Sequence, residues 1–258
     1  MSNRQSWAQV IILAGTGLYF TANLVSGNIT NYIAAKFIWL SWIAAGLLLV
    51  LAAMRAFALL RGRQDAHEHD HDHVHHDHAH DHRGGARAWI GLGIVALPVA
   101  FGVLVPSAPL DSRAIEGAIA SDLGNISAAP SQRVGTDPLD RNVLEWLRAF
   151  SLEADRAAFD GQAADVTGFV YRDPALDDAT HFLVARFVMS CCVADAQAIG
   201  LTVEWPGAAD LKADEWVRVR GTFALRPIDG EPVPVLVAYP GEDGVRPVER
   251  PAHPYLYP

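Results

Sequence analysis

Cysteine is nearly missing: 258 residues carry two, adjacent at Cys191 and Cys192. That excludes a disulfide framework, and no CxxC motif is present. The chain also lacks a Gly-rich phosphate loop, a nucleophile elbow and any paired-carboxylate arrangement that stands out from its general acidity. Nothing therefore speaks for an enzyme. Basic residues are scarce where a soluble surface would need them: residues 111–258 hold 13 Lys/Arg against 23 Asp/Glu. So acidic a portion repels phosphate backbones, which excludes nucleic acid as a partner. Finally, charge of either sign is absent from Gln5 to Ala35, Phe37 to Met54 and Ala88 to Leu110, runs of 31, 18 and 23 residues. No single water-soluble core fits that distribution, and a simple cytosolic enzyme is set aside.

What fills those gaps is apolar. A helix crosses a bilayer core in roughly 20 residues, so the sequence predicts three membrane helices, at about 8–25, 37–60 and 89–105. Trp7, Trp39, Trp42 and Trp89 fall near their ends, where indole rings suit the interface. Gly15, Gly17, Gly91, Gly93 and Gly102 permit close helix approach. A cleaved signal peptide competes for the first segment, since Arg4 precedes it, but no small-x-small site follows. The first connector carries only Lys36, whereas Arg55, Arg61, Arg63, Arg83 and Arg87 flank the second. By the positive-inside rule the N-terminus and second loop are cytoplasmic, and the chain after about Pro106 is extracytoplasmic on a bacterial plasma membrane.

That second loop, 64–83, contains nine of the eleven histidines: His67, His69, His71, His73, His75, His76, His78, His80 and His82, interleaved with acids. Imidazole is a good ligand for zinc, nickel and copper, and near neutral pH most such rings carry a free lone pair. The spacing is too degenerate for one tetrahedral site, so overlapping sites of moderate affinity, a metal buffer, are expected. A solvated connector whose histidines do nothing is the bland alternative.

Residues 107–137 read as a linker with at most a short helix around Ser112 to Ile119. Thr136-Asp137-Pro138 looks like a helix start, and Leu139, Val143, Leu147 and Phe150 recur at helical spacing, predicting an amphipathic helix over 138–150. Period-two patterns follow at Ala164 to Tyr171 and Trp216 to Leu225, with further strands at His181 to Ser190, Leu201 to Trp205 and Val233 to Tyr239. Pro234 confines the last to an edge or to its first residues. The expected fold is membrane α plus soluble β: three transmembrane helices, then over 138–258 a helix and a small five-stranded antiparallel barrel of the OB type. An open sandwich is the alternative.

The informative stretch runs from Arg186 to Ala196 and holds both cysteines. Its strand should end near Ser190, and Val193 to Ile199 reads as one helical turn closed by Gly200. Thiols at such a turn, with Arg186 on the same strand, are expected to have a lowered pKa and to suit metal or redox chemistry, with Asp195 as a further oxygen ligand or a cap. In the bland reading one cysteine packs, the other is incidental and Arg186 pairs with an acid.

The order of Gly168-Phe169-Val170-Tyr171, then Arg186-Phe187-Val188-Met189-Ser190-Cys191-Cys192-Val193-Ala194-Asp195-Ala196, then Trp216-Val217-Arg218-Val219-Arg220-Gly221 and the terminal Pro254-Tyr255-Leu256-Tyr257-Pro258 resembles the YcgQ-like family of permease subunits. The resemblance spans nearly the whole chain, membrane helices and His-rich loop included. It implies a larger multi-helix YcgR-like permease as partner and an occasional association with zinc homeostasis. It brings no catalytic residues. By position Arg186, Cys191, Cys192 and Asp195 match its motif.

None of the three proposed spans has an internal Asp, Glu or His at mid-depth, where an ion pathway would show itself. The first reading is therefore an accessory subunit of a membrane permease system for a divalent transition metal such as zinc. The His-rich loop buffers metal, and Cys191, Cys192, Asp195 and His181 form an outer capture or sensing site. A membrane-tethered thiol-redox protein and a plain ligand-binding OB-like module remain open at this point.

Overall fold

The computed structural model describes residues 3–65, 83–115, 137–228 and 230–258. It divides into two compact units, Met1–Ala108 and Pro109–Pro258. All nine clustered histidines lie outside the described residues.

The first unit is helical. Helix α1 spans Asn3–Val25, α2 spans Ile38–Asp65 and α3 spans Arg83–Leu104. Two 3-10 turns, Asn28–Asn31 and Ala35–Phe37, reverse the chain between α1 and α2. Stretches Arg4–Val25 and Ala35–Gly62 are long and apolar enough to cross a membrane; in α3 the apolar part is shorter, Trp89–Leu104. Large apolar side chains lie open all along the helices, among them Leu18, Trp39, Leu47, Met54 and Ile94. A face this broad in water would forfeit the hydrophobic driving force, whereas lipid accepts it. Of the five glycines expected at helix contacts, two serve as such. A Cβ on Gly17 would meet Leu49 Cδ2 at 2.8 Å, and one on Gly102 would meet Tyr19 Oη at 2.5 Å. The Tyr19 hydroxyl donates to the Gly102 carbonyl at 3.0 Å, tying α1 to α3. Gly15, Gly91 and Gly93 have nothing within 4 Å.

The second unit is a mixed seven-stranded sheet with one helix packed on it. Helix α4, Val143–Leu152, starts five residues later than expected. Asp137 does cap a turn, accepting from Leu139 N–H at 2.9 Å, but the turn is a 3-10 piece, Pro138–Asp140. The true cap is Asn142: its Oδ1 accepts from Leu144 and Glu145 N–H at 3.0 and 3.1 Å, while Glu145 accepts from the Asn142 N–H at 2.9 Å. That capping box outcompetes the upstream Asp-Pro start, and Leu139 is left exposed.

The strands are β1 (Ala163–Tyr171), β2 (His181–Val188), β3 (Gln197–Glu204), β4 (Trp216–Ile228), β5 (Glu231–Ala238), β6 (Val245–Pro247) and β7 (Tyr255–Leu256). The sheet has two strands more than expected, because β6 and β7 are too short to show periodicity. Pairing runs β1–β2, β2–β3, β3–β5 and β5–β4, and β4 pairs back to β1; the β3–β5 pair is parallel. Pro232 and Pro234 face only β4, and the parallel pairing with β3 begins beyond them at Leu236, where the missing N–H no longer matters. Inward residues alternate along the strands: Val166, Val184, Ile199, Leu201, Val217, Val219 and Leu236 are all at most 3% exposed. Over them α4 lays Trp146, which meets Phe223 at a ring separation of 4.6 Å, and Phe150, which meets Phe159 edge-on at 4.7 Å. Trp146 is thus core, as its place in the amphipathic pattern implies.

The chain just before residue 116 is fixed to this unit. Asp214, in the left-handed region at φ 65°, accepts from the Ser112 N–H and hydroxyl, both at 2.7 Å, and the Leu110 N–H donates to the Tyr255 hydroxyl at 2.9 Å. The helical piece expected around Ser112 to Ile119 is, among the described residues, a 3-10 turn over Ser112–Ala114.

Candidate functional site

Strand β2 delivers the two cysteines and then stops. Beyond Val188, the buried Met189 donates its N–H to the Leu256 carbonyl at 2.9 Å, extending the parallel β2–β7 pairing. Ser190 has no ladder partner, and the chain turns. Asp195 makes the turn: its Oδ1 accepts from Ser190 N–H at 2.9 Å and its Oδ2 from Cys191 N–H at 2.7 Å. The expected helical turn over Val193 to Ile199 is instead a 3-10 turn, Val193–Asp195, and β3 already begins at Gln197. Burial decides this, since Ile199, Leu201 and Val203 alternate into the core and require extended backbone there.

The closed loop puts both thiols on one side. Cys191 Sγ and Cys192 Sγ are 3.6 Å apart, both cysteines are free, and with a carboxylate oxygen of Asp195 the donor atoms lie within 4.8 Å of one another. Cys191 is exposed and Cys192 half-buried. A tetrahedral zinc with two thiolates at about 2.3 Å needs their sulfurs about 3.8 Å apart, so the spacing suits such an ion almost unchanged.

The electrostatics differ from those expected. The Asp195 carboxylate accepting from the Cys191 thiol, with the Cys192 thiol beside it, pushes Cys191 up to about 11. Burial works against ionised Asp195, but bonds from the Cys191 thiol and from the N–H groups of Cys191, Ser190 and Cys192 outweigh it and hold the carboxyl below its ordinary range. The expected lowering of the thiol pKa is therefore reversed. There is no helix of useful length at the cysteines, and the nearest charge is negative.

Nor does Arg186 supply the missing positive charge. It is 7% exposed, with Nη1 donating to the Thr167 carbonyl at 3.2 Å and Nη2 to the His253 carbonyl at 3.1 Å, and its guanidinium lies 5.0 Å over Trp216. Burial lowers its pKa to about 10, still charged at neutral pH. No acid pairs with it among the described residues. Arg186 sits where β1 and β2 part, since their pairing ends at Phe169 and Ala185 and β7 joins β2 beyond. It binds the Thr167 carbonyl on β1 at that parting and the His253 carbonyl just ahead of β7, and thereby links the C-terminal segment to the root of the cysteine loop.

His181 is not brought to the cysteines. It opens β2, opposite Glu204, whereas the cysteines follow the strand's far end, roughly 23 Å of extended chain away. There it lines a cleft of about 420 Å³ with Asp177, Glu204, Arg226 and Ile228. Its Nδ1 lies 2.9 Å from Thr180 Oγ1, and that hydroxyl donates to Asp177 at 3.0 Å. Glu204 is paired with Arg226 at 2.7 Å. The sequence reading missed two supports of the cysteine loop, Met189 and the pair of carbonyls at Thr167 and His253. The terminal motif Pro254-Tyr255-Leu256-Tyr257-Pro258 is where the sequence signals this part of the structure, and its Tyr255 and Leu256 pair with β2.

Residues 8–119 match the DUF1980 N-terminal domain and residues 139–258 the DUF1980 C-terminal domain. The chain is 28% identical over 250 residues to the UPF0703 protein YcgQ of Bacillus subtilis (strain 168), covering 84% of this chain and 87% of that protein. It is 24% identical over 255 residues to a Streptococcus mutans protein provisionally described as a two-component membrane permease complex subunit, covering 83% and 86%. No solved structure matches. With both domains matched in order and relatives aligned along most of its length, the chain belongs to the YcgQ-like family, the family of the paired DUF1980 domains.

Proposed function

We propose that this chain is an accessory subunit of a membrane permease system for a divalent transition metal, zinc by preference, and that it captures or senses the ion at Cys191, Cys192 and Asp195. The observation that carries this reading is the partly exposed cluster of two sulfurs 3.6 Å apart and one carboxylate on a single short loop. Three protein donors leave a tetrahedral ion an open position, as exchange with a partner requires. A relative described as a permease complex subunit supports the assembly. The lack of acidic or histidine side chains in mid-span supports leaving conduction to a larger YcgR-like multi-helix subunit.

In this reading α3 is a third span, shortened in its apolar part, and the arginines in the last turns of α2 and the first turns of α3 keep the N-terminus and His-rich loop cytoplasmic, with the second unit on the outer side. The loop from His67 to His82 buffers metal on the inner side. The second unit is an OB-like barrel with two short added strands; the pairing ring β1–β2–β3–β5–β4–β1 supports this. No catalytic role is assigned. A thiol-redox role is disfavoured by Cys191 itself, because a thiol at about 11 presents almost no thiolate at neutral pH.

Thiol alkylation of the purified full chain with and without zinc tests the reading. Zinc at low micromolar concentration is expected to protect both cysteines, and a chelator to restore labelling. Labelling indifferent to zinc, nickel and copper would remove the capture site.

A further inference from the structure

The helical unit contains a groove that neither the metal reading nor the family relationship uses. Helices α2 and α3 each pack on α1 but scarcely on each other. Between them remains a cavity of about 540 Å³, floored by Gln9, Ile12 and Leu13 of α1 and walled by Arg55 of α2 and by Gly91, Leu92 and Val95 of α3. The lining is apolar except for Gln9 and one charge, Arg55. That arginine is exposed and has no hydrogen bond or acidic partner among the described residues.

Depth identifies what such a groove meets. Arg55 ends the charge-free run Phe37 to Met54, Gly91 lies just inside the start of the run Ala88 to Leu110, and Gln9 just inside the run that begins at Gln5. Gln9 and Gly91 thus come from the ends of their apolar runs, and Arg55 lies about five residues inside the end of the span 37–60, within snorkelling reach of the headgroups, so the groove opens toward the headgroup level. From there its apolar lining leads toward the hydrocarbon. Gly91 contributes no side chain, and its Cβ direction is open, with nothing within 4 Å.

We infer that this groove holds an anionic phospholipid, with the headgroup phosphate on Arg55 and one acyl chain lying along Leu13, Leu92 and Val95. An apolar cavity open to a bilayer is filled by acyl chain, and a lone cation at the interface attracts the negative headgroup field. The site rests on the membrane reading of the helical unit and is independent of the cysteine loop.

The test is native mass spectrometry of the full chain released from nanodiscs of phosphatidylglycerol mixed equally with phosphatidylcholine. One retained phosphatidylglycerol is expected, favoured about fivefold over phosphatidylcholine, since one interfacial arginine accounts for about that factor. Arg55→Gln should abolish the preference while lipid is still retained. Gly91→Phe, which fills the groove, should abolish retention of both lipids, with helical circular dichroism unchanged in each variant. Equal retention of the two lipids by the unaltered chain overturns the inference, as does an Arg55→Gln preference equal to it, or a groove occupied by a second copy of the chain with no lipid. A chain that stays soluble without detergent would instead overturn the membrane reading itself.

Discussion

Zinc can reach Cys191 only by displacing a proton that Asp195 helps to hold, so affinity at this loop should depend steeply on pH. The thiol is pushed up to about 11 and stays protonated throughout the neutral range. Each proton released on binding then costs about tenfold in affinity per pH unit, about 1.4 kcal/mol. Asp195, held below the ordinary carboxylate range, is ionised throughout and adds no slope. The nine clustered histidines complicate a measurement below about pH 7, where imidazoles also release protons. An unperturbed imidazole is neutral above about pH 7.5, while Cys191 still must be deprotonated. Between pH 7.5 and 9, zinc affinity measured by competition with a calibrated chelator should therefore rise at least about tenfold per unit in the full chain. It should rise measurably less in Cys191→Ser. Identical slopes in the two proteins would refute the reasoning.

Four further outcomes follow from the same contacts. Asp195→Asn removes the carboxylate that accepts from the Cys191 thiol and raises it, so thiol–disulfide exchange with a chromogenic disulfide reagent at pH 7.5, which forms the mixed disulfide and expels the coloured thiolate, should speed up by about tenfold or more. In Trp146→Ala the ring packed at a tilt against Phe223 is lost from a site with 0% exposure, which should cost about 3–5 kcal/mol in denaturant unfolding of the second unit. Arg186→Met leaves the Thr167 and His253 carbonyls without their donor. A loss of about 1–3 kcal/mol is expected, with faster hydrogen exchange at Met189, whose N–H is held by Leu256. Strong acid should open the cysteine loop: a carboxyl whose folded pKa is depressed stabilises above its unfolded value and loses that contribution as pH falls through the folded value. Proteolysis between Ser190 and Ala196 should accordingly rise below the usual carboxylate range.

The strands of the core were legible because their inward residues repeat with period two over five residues or more, as from Ala164 to Tyr171 and from Trp216 to Leu225. Strands β6 and β7 have three and two residues, too few for any period to register. The start of α4 was misplaced because two caps compete within six residues, and only the reciprocal bonds of Asn142 and Glu145 decide between them. At the site, the spacing of Cys191, Cys192 and Asp195 was enough to group them. The direction of the thiol shift was not legible, because it depends on which way one carboxylate folds back. His181 shows the converse: it opens a strand of eight residues whose far end leads to the cysteines, so closeness in sequence order does not bring it to them.

Asp195 has two parts in the loop, and together they bear on what the loop is suited to do. As an acceptor of two backbone N–H groups it fixes the turn, so the sulfurs are already 3.6 Å apart without an ion. Binding then requires little rearrangement of the chain, and the cost of ordering the loop has been met during folding. As a negative charge beside Cys191 it keeps the thiol protonated, so what opposes binding is loss of a proton and not a change of shape. An ion held in this way leaves when a proton returns, and proton return needs only solvent access, which the exposed Cys191 provides. A closed four-ligand site with depressed thiols would retain zinc; a preformed, open and proton-contested one favours exchange. That is the behaviour the proposed role calls for, in which the ion is passed on to a partner.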